Sequence, residues 1–225
     1  MKHRLARAVL AGVVVAAVGP SAWAGPPTDQ VRSRVDSIVK VLEDPDLQKA
    51  ARSRERRSAI RRIAEEIFDF TEISQRSLGR HWQTRTPAER AEFVTLFGGL
   101  LSDVYISRIE SYSGERILYV GEAVDGDYVT VRTRIVTKQR AEIPVDYRMF
   151  RRDDRWRVFD ASIEGVSLVG NYRSQFNAVV QRSSYQELVK RLRARQEESP
   201  GPRATGLREA PGQLKLPPSL PLQSP

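Results

Sequence analysis

Residues 156–176 read WRVFDASIEGVSLVGNYRSQF, and the pattern changes its period inside this stretch. Trp156, Val158 and Asp160 alternate with Arg157, Phe159 and Ala161, the two-residue repeat of a strand. After Gly165 the apolar residues recur at helical spacing: Tyr172, Phe176, Val179 and Val180, then Tyr185, Leu188 and Leu192. Ser167 stands at the junction, where its hydroxyl suits the capping of a turn between sheet and helix. A sheet therefore ends near residue 163, and helices fill residues 167–196.

Toward the N-terminus the two-residue repeat continues. Ile143, Val145, Tyr147 and Met149 share one face, with Asp146 and Arg148 on the other. Val129, Val131 and Ile135 alternate with Thr130, Arg132 and Arg134. Gly126 and the Asp153-Asp154 pair mark turns. With Arg116 to Ala123 these runs predict a four-stranded antiparallel meander over residues 116–163, with one polar face.

Residues 28–112 read as helices. Thr28 is a candidate N-cap for a first helix with Val31, Val35, Ile38, Val39 and Leu42 on one face, ended by Asp44-Pro45. A second stretch carries Ile60, Ile63, Ile67 and Phe70, and a short third holds Ile73 and Leu78 and stops at Gly79. Thr86-Pro87-Ala88-Glu89 predicts a capping box with proline at the first helical position. The helix after it carries Phe93, Leu96, Phe97, Leu100, Leu101, Val104 and Tyr105. Helices before and after a meander define an α+β fold, with helices packed on the sheet's apolar face.

The chain has 225 residues and a net charge of +9, a balance that suits nucleic acid, anionic membrane or an acidic partner. Its beginning resembles an address. Lys2, Arg4 and Arg7 precede the uncharged run Ala8 to Val18, and Ala22-Trp23-Ala24 gives a cleavage pattern before Gly25. Residues 1–24 are thus expected to be a signal peptide, whose removal takes the charge to +6. Export argues against nucleic acid. Residues 197–225 hold seven of the 13 prolines and no periodic apolar signal, and are expected to be a disordered Pro-rich tail. The folded domain is expected over residues 25–196.

Few residues suggest catalysis. Cysteine is absent and there are two histidines, which excludes disulfides, thiol nucleophiles and Cys–zinc sites and disfavours a multi-histidine metal site. His81 has no local carboxylate and nucleophile to make a triad. Gly165-Val166-Ser167-Leu168-Val169-Gly170 is one residue too long for a nucleophile elbow and follows an antiparallel strand. Asp69 and Glu72 read better as local capping than as a metal or acid–base pair. Gly98-Gly99 in mid-helix suggests close approach of a backbone or a bend beside a cavity. Seven basic residues between Lys49 and Arg62, among them Arg54, Arg57 and Arg61, form either a solvated helix face or a docking face for anionic headgroups or an acidic partner.

The motifs taken together resemble a known family. WRVFDASIEGVSLVGNYRSQF, Val145 to Met149 (VDYRM), Phe68 to Trp82 (FDFTEISQRSLGRHW) and Thr86 to Tyr105 (TPAERAEFVTLFGGLLSDVY) are similar to the corresponding segments of MlaC, the toluene-tolerance family of periplasmic phospholipid-binding proteins. The resemblance covers nearly all of the expected domain but not the tail. It implies a fold similar to nuclear transport factor 2, with acyl chains held between helices and sheet. It implies a monomeric, non-enzymatic carrier in the periplasm, with phospholipid as cargo rather than cofactor. Its implied partners are an inner-membrane ABC transporter with an MCE-domain subunit and an outer-membrane lipoprotein complex, and its implied role is maintenance of outer-membrane lipid asymmetry.

Candidate lipid-binding walls are Phe97, Leu101 and Tyr105 from the long helix, Val131, Val145, Tyr147 and Met149 from the sheet, and Val166, Leu168 and Tyr172 after it. Val145 and Val166 sit inside the matching motifs. For each, ordinary core packing is the alternative. Two other readings compete: an enzyme on the same scaffold using Asp160, Glu164 or His81 on a small apolar substrate, and a lipid-free envelope adapter.

Overall fold

The computed structural model of the chain describes residues 26–197. The expected signal peptide and all but the first residue of the expected tail lie outside them. Among the described residues there are six α-helices and one five-stranded antiparallel sheet, in the order α1 Pro26–Glu43, α2 Ser53–Ile67, α3 Phe70–Leu78, α4 Pro87–Ile109, β1 Arg116–Asp125, β2 Tyr128–Val136, β3 Glu142–Arg152, β4 Arg155–Ile163, β5 Val166–Ser167, α5 Leu168–Arg182 and α6 Tyr185–Glu197. The strands pair in sequence order.

Where local chemistry is strong, the elements form as expected. Thr86 and Glu89 make the reciprocal capping box that starts α4. Asp69 caps α3 by accepting from the Glu72 amide at 2.9 Å. Ser167 caps α5, accepting from the Gly170 amide at 2.9 Å.

The sheet has five strands rather than the expected four. Glu164 and Gly165 both take left-handed φ values, +51° and +81°, which closes a two-residue hairpin and brings Val166 opposite Ile163. The chain thus adds a short strand before it enters α5. The expected alternation in β4 also fails at its centre. Arg148 pairs with Asp160 and Met149 with Val158, so Phe159 is the extra residue of a β-bulge. The bulge sets Asp160 opposite Arg148, where unbroken pairing from Val158 would set it opposite Tyr147.

Three helical expectations are also corrected. Thr28 is not the N-cap. α1 begins at Pro26, and Thr28 donates through its amide and hydroxyl to Glu122 of β1, at 3.2 and 2.6 Å. Phe70 belongs to α3, because Phe68 and Asp69 leave the helix to bond β4, with the Asp69 amide donating to the Val158 carbonyl at 2.9 Å. Gly98 and Gly99 do not meet another backbone. A Cβ there would touch the Phe70 and Gln196 side chains at ordinary contact distances, 3.6 and 3.4 Å.

Two apolar cores result. One joins α3, α4, α5 and α6 around Phe93, Phe97 and Phe176. The other joins α1 and α2 to the sheet through Val31, Ile67, Val129, Val131, Met149 and Val158. Phe68 packs against both. α4 packs on α2, α3 and α6, whereas α1 lies on β1 and β2, and α2, α3 and α5 on β4.

Candidate functional site

The sheet's inner face is mostly buried, at Val129, Val131, Thr133, Ile143, Val145, Met149 and Val158, and partly open at a few positions among them. Val129, Met149 and Val158 stand side by side in register and are sealed, with exposures of 2, 0 and 0%. Farther along the same strands, Ile117 pairs with Ile135, and Tyr147 with Ala161. These four, and Ile163, are only half-buried. Burial on α1 falls off along its length. Val31 is buried at its start, while Val35, Ile38, Val39 and Leu42 are half-buried along the rest of the apolar face. Val104 and Tyr105 of α4 and Leu168 of α5 are half-buried as well. A filled core leaves few voids. Apolar side chains on α1, α4, α5 and the sheet are thus left incompletely buried.

Burial pushes the Tyr147 phenol up to about 12, and the residue is half-buried. Burial likewise raises Tyr172, to about 12, and it raises Tyr105 and Tyr119 further.

The expected wall residues fall into separate groups. Tyr105, Tyr147 and Leu168 are half-buried. Val145, 5% exposed, lies between Thr133 and Ile163 in register, and its carbonyl accepts from the Thr133 hydroxyl at 2.7 Å. Phe97 instead fills the helical core, with ring centroids 5.7, 4.9 and 5.0 Å from Phe93, Tyr172 and Phe176. Leu101 belongs to the same core. Val131 and Met149 fill the sheet core. The Tyr172 ring packs with Phe97 and Phe176. Val166 is 41% exposed on β5. Ile117, Ile135, Ile163 and the far half of α1 are half-buried as well and are not among the expected walls, because periodicity marks a face and not its degree of filling.

The basic stretch is largely engaged within the molecule. Arg56 donates to one oxygen of Glu110 at 2.8 and 3.0 Å, and Arg57 reaches the other at 3.3 Å. Arg57 also donates to the Ser107 hydroxyl at 2.6 Å, and Arg61 pairs with Asp103 at 3.3 Å. These contacts tie α2 to the second half of α4. Arg54 is exposed and makes no such bond.

The candidate acids, bases and nucleophiles do not assemble. Asp160, 2% exposed, accepts from the Ser167 hydroxyl at 2.6 Å and the Val169 amide at 3.0 Å, which fixes the start of α5. Glu164 is exposed in the hairpin turn. His81 lies 3.1 Å from the Asn177 side-chain oxygen, in a surface concavity of about 360 Å³ lined also by Arg80 and Arg173. No group of three or more metal-ligating side chains occurs among the described residues, and no helix among them is long and apolar enough to cross a membrane.

Comparison with known proteins agrees with this architecture. A phospholipid-binding protein from Ralstonia solanacearum, solved in complex with a phospholipid, superposes with a TM-score of 0.66 over 76% of this chain and 96% of that one, at 24% identity. The intermembrane phospholipid transport system binding protein MlaC from Haemophilus influenzae is 21% identical over 120 residues, 51% of this chain and 56% of that protein. The chain thus aligns with little more than half the length of that relative. The family model for MlaC protein matches residues 32–194, from the first helix to the last, and the chain therefore belongs to the MlaC family.

Proposed function

We propose that the chain is a periplasmic carrier that holds the acyl chains of a glycerophospholipid in a trough between its helices and sheet. The observation that carries this reading is the set of apolar residues left half-buried on the inner face, Ile135, Tyr147 and Ile163, and along α1, Val35, Ile38, Val39 and Leu42. Membership of the MlaC family supports it. On this reading the protein shuttles lipid between an outer-membrane lipoprotein complex and an inner-membrane ABC transporter with an MCE-domain subunit, and so helps maintain outer-membrane lipid asymmetry. Residues 1–24 direct export and are removed, residues 197–225 form a tail, and the carrier works as a monomer. Arg54, with Arg57 and Arg61 beside it, offers a docking face.

The energetics require a protein for this task. Each buried methylene is worth about 0.8 kcal/mol, so a sixteen-carbon chain costs on the order of 12 kcal/mol to expose to water. A trough with apolar walls and neutral phenols offsets that without needing precise polar contacts. The decisive experiment purifies the protein from a phospholipid-rich host, extracts it with solvent and identifies the extract by mass spectrometry. Stoichiometric glycerophospholipid is expected. Protein that emerges lipid-free, and stays so after incubation with phospholipid vesicles, refutes the carrier.

A further inference from the structure

Two stretches of the chain that pack together carry no carboxylate. Residues 73–88 and 165–186 hold five arginines and no Asp or Glu. They meet where α3 and the turn Gly79–His81 pack on α5. Arg76 and Arg85 pair with acids just outside these stretches, Glu72 at 2.7 Å and Glu89 at 3.2 Å. Arg80 and Arg173 form no ion pair with the described residues. Both are exposed, and both line the concavity of about 360 Å³ around Gly79 and Asn177.

The hollow is shaped by specific contacts. Gly79 ends α3 with a left-handed φ of +58°. A Cβ there would stand 3.3 Å from the Arg173 Cδ, so the bare glycine lets the aliphatic part of Arg173 lie against the turn. Asn177 lies one turn beyond Arg173 on α5. Its side-chain oxygen accepts from the Arg80 guanidinium at 2.6 Å and lies 3.1 Å from the His81 Nε2. Its amide donates to the Gln181 side chain at 3.1 Å, which sets its orientation. A guanidinium has five N–H donors, so Arg80 is held by one and keeps others to offer.

Two guanidiniums flanking a hollow with no neutralising acid suit an anion that accepts from both, as a carboxylate does. The surroundings favour a protein carboxylate over a lipid surface. Basic membrane docking takes a cluster of roughly 4–8 Lys/Arg, or an apolar anchor inserted beside the charges. Here two arginines border a recess. The exposed large apolar side chains, Leu118, Val120, Val124, Tyr128 and Val166, do not line it.

We infer that the Arg80–Arg173 concavity is a docking site for an acidic segment of a partner protein, with one carboxylate entering between the two guanidiniums. The site is independent of the carrier reading, because its arginines are exposed and take no part in the apolar inner face.

The test titrates the purified full chain into a fluorescein-labelled oligoglutamate peptide and follows anisotropy, with an oligoglutamine peptide as reference. Saturable binding of oligoglutamate alone is expected. Arg80→Gln and Arg173→Gln should each weaken it roughly 5- to 10-fold, and the double variant should abolish it. Arg182→Gln and Lys138→Gln remove the same charge outside the concavity and should leave it unchanged. On isotope-labelled wild-type protein, the peptide should shift amide resonances of residues 79–81 and 173–177, a readout that needs no variant to fold. Absent binding, equal losses in all four single variants, retention by the double variant, or shifts confined to other residues each overturn the inference. Displacement of the peptide by millimolar inorganic phosphate at constant ionic strength assigns the site to a small anion and overturns it too. So does sedimentation with vesicles of phosphatidylcholine and phosphatidylglycerol that the double variant abolishes, if oligoglutamate does not bind.

Discussion

Asp160 to Ala should separate the role of an acceptor from the role of a charge. The Asp160 carboxylate accepts from the Ser167 hydroxyl at 2.6 Å and the Val169 amide at 3.0 Å, and meets Arg148 at 3.4 Å. Alanine leaves the Val169 amide buried without a partner, which costs about 1–3 kcal/mol. It also frees the Ser167 side chain that caps α5, worth about 1 kcal/mol more. The Arg148 pair adds little, because its guanidinium is half exposed. The total is roughly 2–4 kcal/mol, or a fall in the thermal midpoint of roughly 5–15 °C for a domain of this size.

Asp160→Asn provides the contrast. Its carbonyl oxygen can keep the Val169 amide. Its amide can donate to the Ser167 oxygen, which still accepts from Gly170. Only the favourable placement of a negative charge at the start of α5 is lost, worth about 0.3–1 kcal/mol. Urea denaturation followed by circular dichroism should therefore rank the midpoints as wild type, then Asn a little lower, then Ala far lower. An Asn variant as unstable as Ala would refute the argument, because charge rather than acceptor geometry would then hold the helix.

Phe97→Ala should cost about 3–5 kcal/mol, as a sealed aromatic in a filled core, while Ile135→Ala should cost about 1 kcal/mol or less, because its surroundings are already incomplete. Equal losses in thermal denaturation would abolish the distinction between core and trough. Glu110→Gln removes the carboxylate shared by Arg56 and Arg57 and should lower stability by about 1–3 kcal/mol, read from the urea midpoint. An unchanged midpoint would show that the α2–α4 clamp contributes nothing. Stability should also fall between pH 10 and about 12. Tyr147 and Tyr172 ionise near 10 when unfolded but are held up to about 12 by burial, so across that window the folded state binds more protons. Flat stability there, measured by urea midpoints, would contradict their burial.

The parts of the fold legible in the sequence are those governed by near neighbours. The Thr86–Glu89 box, the Asp69 cap and the Ser167 cap each need partners three residues away, and all three form. The phase of β4 was not legible. A strict two-residue period assigns Asp160 to the face of Val158, and only pairing with β3 reveals the bulge at Phe159. Phe159 is buried there by partners scattered along the chain, with Arg76 and Arg148 over its ring and Phe150 and Tyr128 at its edges. Arg57 and Arg61 read as a free basic face because Asp103 and Glu110, which hold them, lie on another helix.

The site was half legible for a related reason. Val131 and Tyr147 lie on one apolar face and look alike to any periodic reading, yet one is sealed and the other is not. The difference arises from what lies opposite. α1 is pinned at its start, where Gln30 exchanges hydrogen bonds with the Trp156 backbone at 2.6 and 3.3 Å and Thr28 bonds Glu122. Its later turns carry the half-buried Ile38, Val39 and Leu42 with no comparable hydrogen bond to the sheet among the described residues. On the carrier reading, one core serves two purposes. The sealed residues supply fold stability through close packing. The half-buried ones forgo part of that stability, and the hydrocarbon of a cargo lipid can restore it by covering them. A carrier built this way should be more stable loaded than empty, by an amount set by the lipid's affinity and concentration. An equal thermal midpoint for delipidated and lipid-saturated protein would show that the half-buried residues are only loosely packed core.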